Sequence, residues 1–208
     1  FLQVSACMNG LSEYLRRFTP FVISRIIRTD PKQIPLTIDV NLNNFSLQIR
    51  NVVETLNERW PTPNFNDSKN NPQFREQVKD ILFNKLNFEL VRRRSAVCDG
   101  TGLFLKRGRI NERTFCSLYP GTVYRPGDPI LLQSLGNSFV LRCRDGQMID
   151  GNDRRLSKSI FRSCAFRDYG HNVCDITWID REPINFLNQG QYINDARLIQ
   201  GNVQYIDI

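Results

Sequence analysis

The sequence is poor in the residues that several common kinds of site require. Its 208 residues include one histidine, His171, which argues against histidine-rich metal sites and histidine-dependent catalytic triads. No two of its six cysteines have the C-x-x-C spacing of a closed zinc site, and no serine lies in a G-x-S-x-G turn. No apolar run approaches the roughly 20 residues of a membrane helix. We therefore expect no metal site, no classical hydrolase chemistry and no membrane partner.

The cysteines are too sparse for a fold that depends on disulfide bonds. They are Cys7, Cys98, Cys116, Cys143, Cys164 and Cys174. Their even number leaves disulfides open, but their density is far below that of a small secreted scaffold. We interpret them as reduced thiols that are mostly buried as small hydrophobic groups. With no secretory feature in sight, this favours an intracellular location, in the nucleus or the cytoplasm.

The composition is that of a globular protein with an excess of positive charge. Hydrophobic residues make up 40% and charged residues 24%, and 28 Lys and Arg against 21 Asp and Glu give a net charge of +7. Residues 142–167 hold seven basic residues against three acidic ones, and Arg92–Arg94 form a second cluster. A basic patch can bind nucleic acid or an acidic partner, but it can equally be a solvated surface. Both interpretations stay open.

The first 93 residues show helical periodicity. Apolar residues recur at three- and four-residue spacing from Leu11 to Ile26, where Pro20 predicts a break, and again from Phe45 to Leu56. Asn71 and Pro72 have the order of an N-cap and a first helical residue. They precede a third stripe: Phe74, Val78, Ile81, Leu82 and Leu86. We expect these stripes to pack against each other; a groove for a partner helix is the alternative.

The pattern changes from Ala96 onward. Short apolar runs alternate with turns rich in Gly, Pro and Asp, which predicts many short strands. These runs are residues 103–105, 115–118, 130–132, 139–141 and 148–149. The sequence therefore predicts an α+β protein: an N-terminal helical region over 1–93, followed by a β-rich domain of small sheets over 94–208. The start at Phe1 and the end at Ile208, inside an alternating run, suggest a segment of a longer product.

Four short motifs follow one another in this second region. They are Gly100-Thr101-Gly102-Leu103-Phe104, Leu118-Tyr119-Pro120-Gly121, the hairpin-like run of residues 142–151, and Gly190-Gln191-Tyr192-Ile193-Asn194-Asp195-Ala196. In this order they resemble the SET-domain family, the S-adenosylmethionine-dependent protein lysine methyltransferases. The resemblance spans roughly residues 96–208. Residues 119–124, 149–153 and 190–194 look most like one subgroup of that family, and residues 14–21 look like its basic, aromatic N-terminal segment.

The resemblance implies a methyltransferase site with S-adenosylmethionine as cofactor and a lysine-bearing protein as substrate. Tyr119 would line the lysine channel as the catalytic residue. The cofactor-binding residues would be Gly100, Thr101, Gly102, Tyr192, Asn194 and Asp195. Glycines allow a backbone to approach a ligand closely, and an Asn amide offers both a donor and an acceptor to the amino-acid end of the cofactor. Tyr119 as a core tyrosine and Asn194 as a turn residue are the alternatives.

The sequence departs from the family pattern at two places. Asp195 stands where the family usually has His, and the final motif, which carries a channel tyrosine, is missing, so the SET-like domain is C-terminally incomplete. We therefore expect this segment to be inactive alone, because a channel that lacks one wall aligns the amine poorly. Two alternatives stay open: a non-catalytic SET-like interaction module, and a basic nucleic-acid-binding domain. Substrate identity and oligomeric state cannot be read from the sequence.

Overall fold

Helices and two small sheets make up the part of the chain that the computed structural model describes: residues 42–59, 71–95, 100–165, 175–194, 203, 205 and 206. The elements are helices α1 (Leu42–Arg59) and α2 (Pro72–Leu86), strands β1 (Phe88–Arg94), β2 (Thr101–Gly108) and β3 (Thr122–Tyr124), helix α3 (Leu131–Ser134), strands β4 (Val140–Arg142) and β5 (Met148–Asp150), helix α4 (Arg155–Ala165), and the 3-10 turns η1 (Ile176–Ile179) and η2 (Gly190–Tyr192). The α+β class is confirmed. The stripe predicted from Leu11 to Ile26 lies outside the described residues.

Helix α2 begins where its sequence predicts. The Asn71 side chain accepts hydrogen bonds from two backbone N–H groups of the first turn, at 2.9 and 3.4 Å, and Pro72 is the first helical residue. These contacts satisfy donors that the helix itself leaves without a partner. At the other end Asn87 adopts a left-handed conformation with φ 61°, and its N–H donates to Phe83 O at 2.7 Å. This sharp stop directs the chain straight into β1.

The main core joins both helices to residues that come much later in the sequence. Its buried members are Val52, Phe74, Val78, Leu82, Phe88, Leu90, Phe115, Ile184, Phe186 and Leu187. The apolar stripes of α1 and α2 pack here as predicted, except that Val53 is 45% exposed. Because residues 184–187 complete this core, the last part of the described chain is fixed against the first.

Strands β1 and β2 form an antiparallel ribbon with a register shift between Glu89 and Leu90. The sequence assigned residues 88–93 to the helical region; they are strand instead. Phe88, Glu89 and Leu90 are consecutive and all buried, a pattern that fits neither a one-sided strand nor one helix face. The position of the domain boundary stays a prediction.

Glu89 is a buried carboxylate held by two cations from the neighbouring strand. Its Oε1 accepts from Lys106 Nζ at 2.8 Å, and its Oε2 accepts from Arg107 Nε at 2.6 Å. Burial by itself raises the pKa of Glu89. The hydrogen bonds from Lys106 and Arg107 outweigh burial, so the pKa lies below the ordinary value of 4.5. The folded protein therefore favours the charged form of this side chain.

This lowered pKa makes part of the stability dependent on pH. A group with a depressed folded-state pKa contributes stability above its unfolded pKa and loses it as the pH falls through the folded pKa. We expect Glu89→Gln to lose roughly 1–3 kcal/mol at neutral pH and to show a weaker fall of stability below about pH 4.5. Urea unfolding across that range measures both, with exposed Glu54→Gln as the control. An equal acid dependence in wild type and Glu89→Gln would contradict this role.

The second sheet has the strand order β3-β5-β4. Strands β4 and β5 form the hairpin that the run of residues 142–151 predicted, closed by the Cys143 N–H donating to Gln147 O at 2.9 Å. Asp150, at the end of β5, is 1% exposed, and its Oδ1 accepts from Asn137 Nδ2 at 2.8 Å and from the Asn152 N–H at 3.1 Å. Asp150 thereby fixes the bend that leads into Gly151.

Two short strand predictions from this region are wrong. Residues 115–118 are irregular, and residues 131–132 belong to helix α3. The region also contains a helix that was not predicted, α4, which buries only Ser157 and Phe161. Phe161 packs edge-on against Trp178 of η1, with ring centroids 4.7 Å apart. Leu156, Ile160, Phe161 and Cys164 recur at helical spacing, so the sequence carries an amphipathic signal that the prediction did not use.

Three cysteines fall within the described residues: Cys116, Cys143 and Cys164. All three are free thiols, as predicted, but none is fully buried: Cys116 and Cys143 are partly exposed and Cys164 is exposed, so the prediction of burial is wrong for them. Burial raises the pKa of Cys116, which makes its thiol a poor nucleophile. A search of the described helices for a stretch long and apolar enough to cross a membrane found none.

Candidate functional site

The two glycines of the first motif and the asparagine of the last are brought together at the beginning of β2. Thr101 and Gly102 pair with Arg94 and Arg93 of β1. A Cβ atom placed on Gly102 would lie 2.9 Å from Nδ2 of Asn194, too close for any side chain without a shift. A side chain at Gly102 would therefore displace the Asn194 amide, and also the Phe104 ring, which lies at the same distance of 2.9 Å. Gly100, by contrast, has open space beside its Cα.

A serine that the sequence analysis did not select connects these motifs. The Nδ2 of Asn194 donates to Ser95 Oγ at 2.9 Å, and the Ser95 N–H donates to Gly100 O at 2.9 Å. The side chain of Asn194 is thus held over the beginning of β2 by residues on both strands of the ribbon. No motif includes Ser95, and its only signal is its position at the end of an apolar and basic strand.

Tyr119 lies on a loop beside this arrangement and is half-buried. Its hydroxyl donates to Phe139 O at 2.8 Å, and its ring packs edge-on against Tyr205, with centroids 5.7 Å apart. A Cβ atom on Gly151 would lie 2.8 Å from Cε1 of Tyr119. The tyrosine is therefore fixed by the hydrogen bond of its hydroxyl and by the packing of its ring against Tyr205 and Gly151. Because its proton is directed to Phe139, its oxygen can act toward a ligand as an acceptor.

Backbone contacts tie the Tyr119 loop to turn η2. The Leu118 N–H donates to Leu187 O at 2.8 Å, and the Gly190 N–H donates to Leu118 O at 2.9 Å. A Cβ atom on Gly190 would lie 2.6 Å from that same Leu118 oxygen. Tyr205 reinforces the junction, because its hydroxyl donates to Gly190 O at 2.8 Å. The second and fourth motifs are thus joined directly.

Tyr192, a predicted cofactor residue, is buried and makes its contacts within the protein. Its hydroxyl donates to Asp153 Oδ2 at 2.6 Å, and its ring packs edge-on against Phe139. Burial and then the hydrogen bond to Asp153 raise the pKa of this hydroxyl, so it stays protonated at neutral pH. These contacts make Tyr192 a support for its neighbours in η2. Its contact with a cofactor stays a prediction.

Arg92 is a buried clamp and does not belong to a surface cluster of arginines. Its guanidinium donates to Gln189 Oε1 at 2.8 Å, to Trp178 O at 2.9 Å and to Asp180 O at 3.0 Å. The group also lies 4.4 Å from the centre of the Tyr192 ring. The basic-surface interpretation of residues 92–94 is therefore wrong for Arg92. Its fixed fork of donors instead attaches residues 178–192 to strand β1.

Gln191 is the most unusual polar side chain of the site. It is 5% exposed, and within the described ranges neither Oε1 nor Nε2 has a hydrogen-bond partner. A buried polar group without a partner costs about 1–3 kcal/mol. Its neighbour Gly151 separates it from Tyr119, since a Cβ atom on Gly151 would lie 3.0 Å from Cβ of Gln191 and 2.8 Å from the Tyr119 ring.

The basic region of residues 142–167 is only partly a free surface. Arg154, Arg155 and Arg162 are exposed, but Arg154 lies 3.6 Å from Asp153 and Lys158 donates to Ile179 O at 2.9 Å. Part of this charge therefore serves the fold. Binding of nucleic acid here stays a prediction.

The structure thus brings Gly102 close to Asn194, and Tyr119 close to the turn that carries Tyr192. Asp195 and His171 lie outside the described residues. Sequence reasoning missed Ser95, Gln191 and the role of Arg92. Gln191 had the clearest signal, since it falls inside the fourth motif.

Comparison with known proteins finds that the chain is similar to SET-domain proteins, so the resemblance is confirmed. The relatives are SET domain-containing protein 9 from Homo sapiens and from Pongo abelii, and this is the subgroup that residues 119–124, 149–153 and 190–194 resemble. Each is 38% identical to the chain over 133 residues, which cover 62% of the chain. The chain spans about half the length of these relatives, 49% and 44% respectively for Pongo abelii and Homo sapiens. No protein-family model matches the chain, and no solved structure matches it.

Proposed function

We propose that the chain carries the site of an S-adenosylmethionine-dependent methyltransferase that acts on a protein lysine. The observation that carries the proposal is the meeting of Gly102 and Asn194, which lie far apart in the sequence but in contact in the fold. SET-domain proteins generally use S-adenosylmethionine, and these are the residues that the family resemblance assigns to it. The cofactor would supply a methyl group on a positively charged sulfur.

The residues at the beginning of β2 fit such a ligand. Gly100 has open space beside its Cα, so a ligand can approach the backbone there, and the Asn194 amide lies against the buried Gly102 nearby. The amide of Asn194 is fixed by Ser95 before any ligand arrives, so binding costs little side-chain entropy. Gly100, Thr101, Gly102 and Asn194 would hold the cofactor, with Tyr192 and Asp195 as the other proposed contacts.

Tyr119 would line the lysine channel. Its ring offers an apolar wall, and its oxygen can accept an N–H of a neutral amine. Methyl transfer depends chiefly on holding the amine in line with the methyl group, and such positioning can be worth about 7–11 kcal/mol. The contacts of Tyr119 with Phe139, Gly151 and Tyr205 keep its ring in one place. An unsupported tyrosine would lose this advantage.

Calorimetry of the full-length protein with S-adenosylmethionine tests the proposal. We expect binding by the wild type and about 10- to 100-fold weaker binding by Asn194→Ala, because a hydrogen bond to a charged ligand group is lost. Asn84→Ala, on the exposed surface of α2, is the matched control. Ser95→Ala removes the hydrogen bond that positions the Asn194 amide but keeps the amide itself. It therefore separates the positioning of Asn194 from its direct contact with the cofactor.

Two results would contradict the proposal at different levels. Unchanged affinity in Asn194→Ala would exclude the assigned site. Absence of binding by the wild type at about 1 mM cofactor would exclude the function and favour the alternative of a non-catalytic SET-like interaction module.

A further inference from the structure

Gln191 presents a hydrogen-bonding group that the described fold does not use. Both polar atoms of its amide are buried, and neither has a partner among residues 42–59, 71–95, 100–165, 175–194, 203, 205 and 206. Its neighbour Gln189 shows the ordinary case, because its Oε1 accepts from Arg92 and its Nε2 donates to Phe186 O. Of these two buried glutamines on one turn, the described protein provides hydrogen-bond partners for the amide of Gln189 but not for that of Gln191.

Hydrogen bonds fix the backbone on both sides of Gln191. On either side of it, the Gly190 N–H donates to Leu118 O at 2.9 Å and the Ile193 N–H donates to Gly190 O at 3.0 Å. Tyr192, the next residue, is pinned by Asp153 and lies under Arg92. A buried polar group without a partner is rare enough to need an explanation, and a role in binding or catalysis is one.

Gln191 and the proposed channel tyrosine lie on either side of one glycine. Across Gly151, the base of the Gln191 side chain faces the ring of Tyr119. Asn194, at the other motif contact, lies against Gly102. The substrate amine would therefore meet the Gln191 amide, beside the channel tyrosine. The cofactor would meet the Asn194 amide, beside the glycines.

We propose that Gln191 binds the substrate amine: its Oε1 accepts an N–H of the lysine ε-amino group and so directs the nitrogen lone pair away from the amide. This inference rests on the proposed function. An amide suits the task because it is uncharged and accepts an N–H without taking the proton. A carboxylate in the same place would favour the protonated ammonium, which has no lone pair to attack a methyl group.

The test compares Gln191→Met with wild type in the full-length protein. Methionine has nearly the same volume and no amide, so it removes a buried polar group that has no partner. We expect the melting temperature without ligand to rise by about 2–4 °C. We also expect transfer of labelled methyl groups from S-adenosylmethionine to a lysine-centred peptide library to fall about tenfold, while the affinity for S-adenosylmethionine stays within about twofold.

Gln189→Met is the matched control, because it removes an amide whose two atoms are both satisfied. It should lower the melting temperature, and that opposite sign distinguishes an unused amide from a structural one.

Three outcomes would overturn the assignment of Gln191 while wild-type cofactor binding stands. A fall in melting temperature for Gln191→Met would mean that the amide supports the fold, and unchanged methyl transfer would mean that it does not meet the substrate. A loss of cofactor affinity of about tenfold or more would place the amide at the cofactor. Absence of cofactor binding or methyl transfer by the wild type would overturn the proposed function, and this inference with it.

Discussion

Replacing Arg92 with alanine is expected to lower the free energy of unfolding by about 3–5 kcal/mol, the range for breaking a buried ion pair, because the guanidinium lies 3.7 Å from the largely buried Asp153 carboxylate. The guanidinium donates to one side-chain oxygen and two carbonyl oxygens, and all of them belong to residues 178–189. Alanine leaves these acceptors without their donor. It also removes the cation that lies over the Tyr192 ring.

The loss should reach the site as well as the stability. Residues 178–192 carry Gln191 and lead into Asn194, so loosening them displaces the fourth motif. We expect weaker binding of S-adenosylmethionine by Arg92→Ala, measured under conditions where the variant is still folded. Arg92→Lys should recover less than half of the stability, because an ammonium group does not reproduce a planar fork of donors.

Arg93 provides the control for this prediction. It is the next residue of β1, it has the same charge, and it is exposed. Arg93→Ala should change stability by no more than about 0.5 kcal/mol. Similar losses from Arg92→Ala and Arg93→Ala in urea unfolding would show that the clamp does not stabilise the fold.

The second large effect is expected for Gly190→Ala. The new Cβ atom would lie 2.6 Å from Leu118 O and 2.9 Å from the carbonyl carbon, and both are backbone atoms that cannot turn aside. Relief of the clash requires the Tyr119 loop and turn η2 to move apart, which breaks the hydrogen bond from the Gly190 N–H. Overpacking of this kind costs about 1–3 kcal/mol.

Function should suffer more than stability in this variant. Leu118 precedes Tyr119, and Gly190 precedes Gln191. When Leu118 and Gly190 move apart, the proposed channel residues Tyr119 and Gln191 therefore move relative to each other. We expect methyl transfer to fall by about 100-fold, since displacements near 1 Å have effects of that size. Gly136→Ala is the control: its φ is 64°, but a Cβ atom there has open space, so it tests backbone strain without a clash. Equal transfer by both variants would contradict the prediction.

The parts of the fold that the sequence predicted are those with local signals. Asn71 and Pro72 mark the beginning of α2 because a cap and a fixed φ act within one turn. Helix α4 was missed although Leu156, Ile160, Phe161 and Cys164 recur at helical spacing, because this segment was interpreted only as part of a basic patch. Residues 88–93 were misassigned because Phe88, Glu89 and Leu90 are all buried, and a buried carboxylate gives no periodic signal.

The candidate site divides in the same way. The resemblance selected Gly102, Tyr119 and Asn194, and the fold places the first and third of these in contact. It did not select Ser95 or Arg92, whose partners are distant polar groups. Such contacts depend on the tertiary path of the chain, which no spacing of residues encodes.

The hydrogen bond from Asn194 to Ser95 joins residues 99 positions apart, and that from Ser117 to Leu187 joins residues 70 positions apart. Contacts of such long range form late in folding, because the closure of a long loop must come before any gain from the contact. Residues 184–187 close the main core at the same stage, so the core and the proposed site are completed together. A ribosome-bound chain that has not yet released residue 194 can therefore form helices α1 and α2, but it lacks the contact between Asn194 and Ser95 on which the proposed site depends.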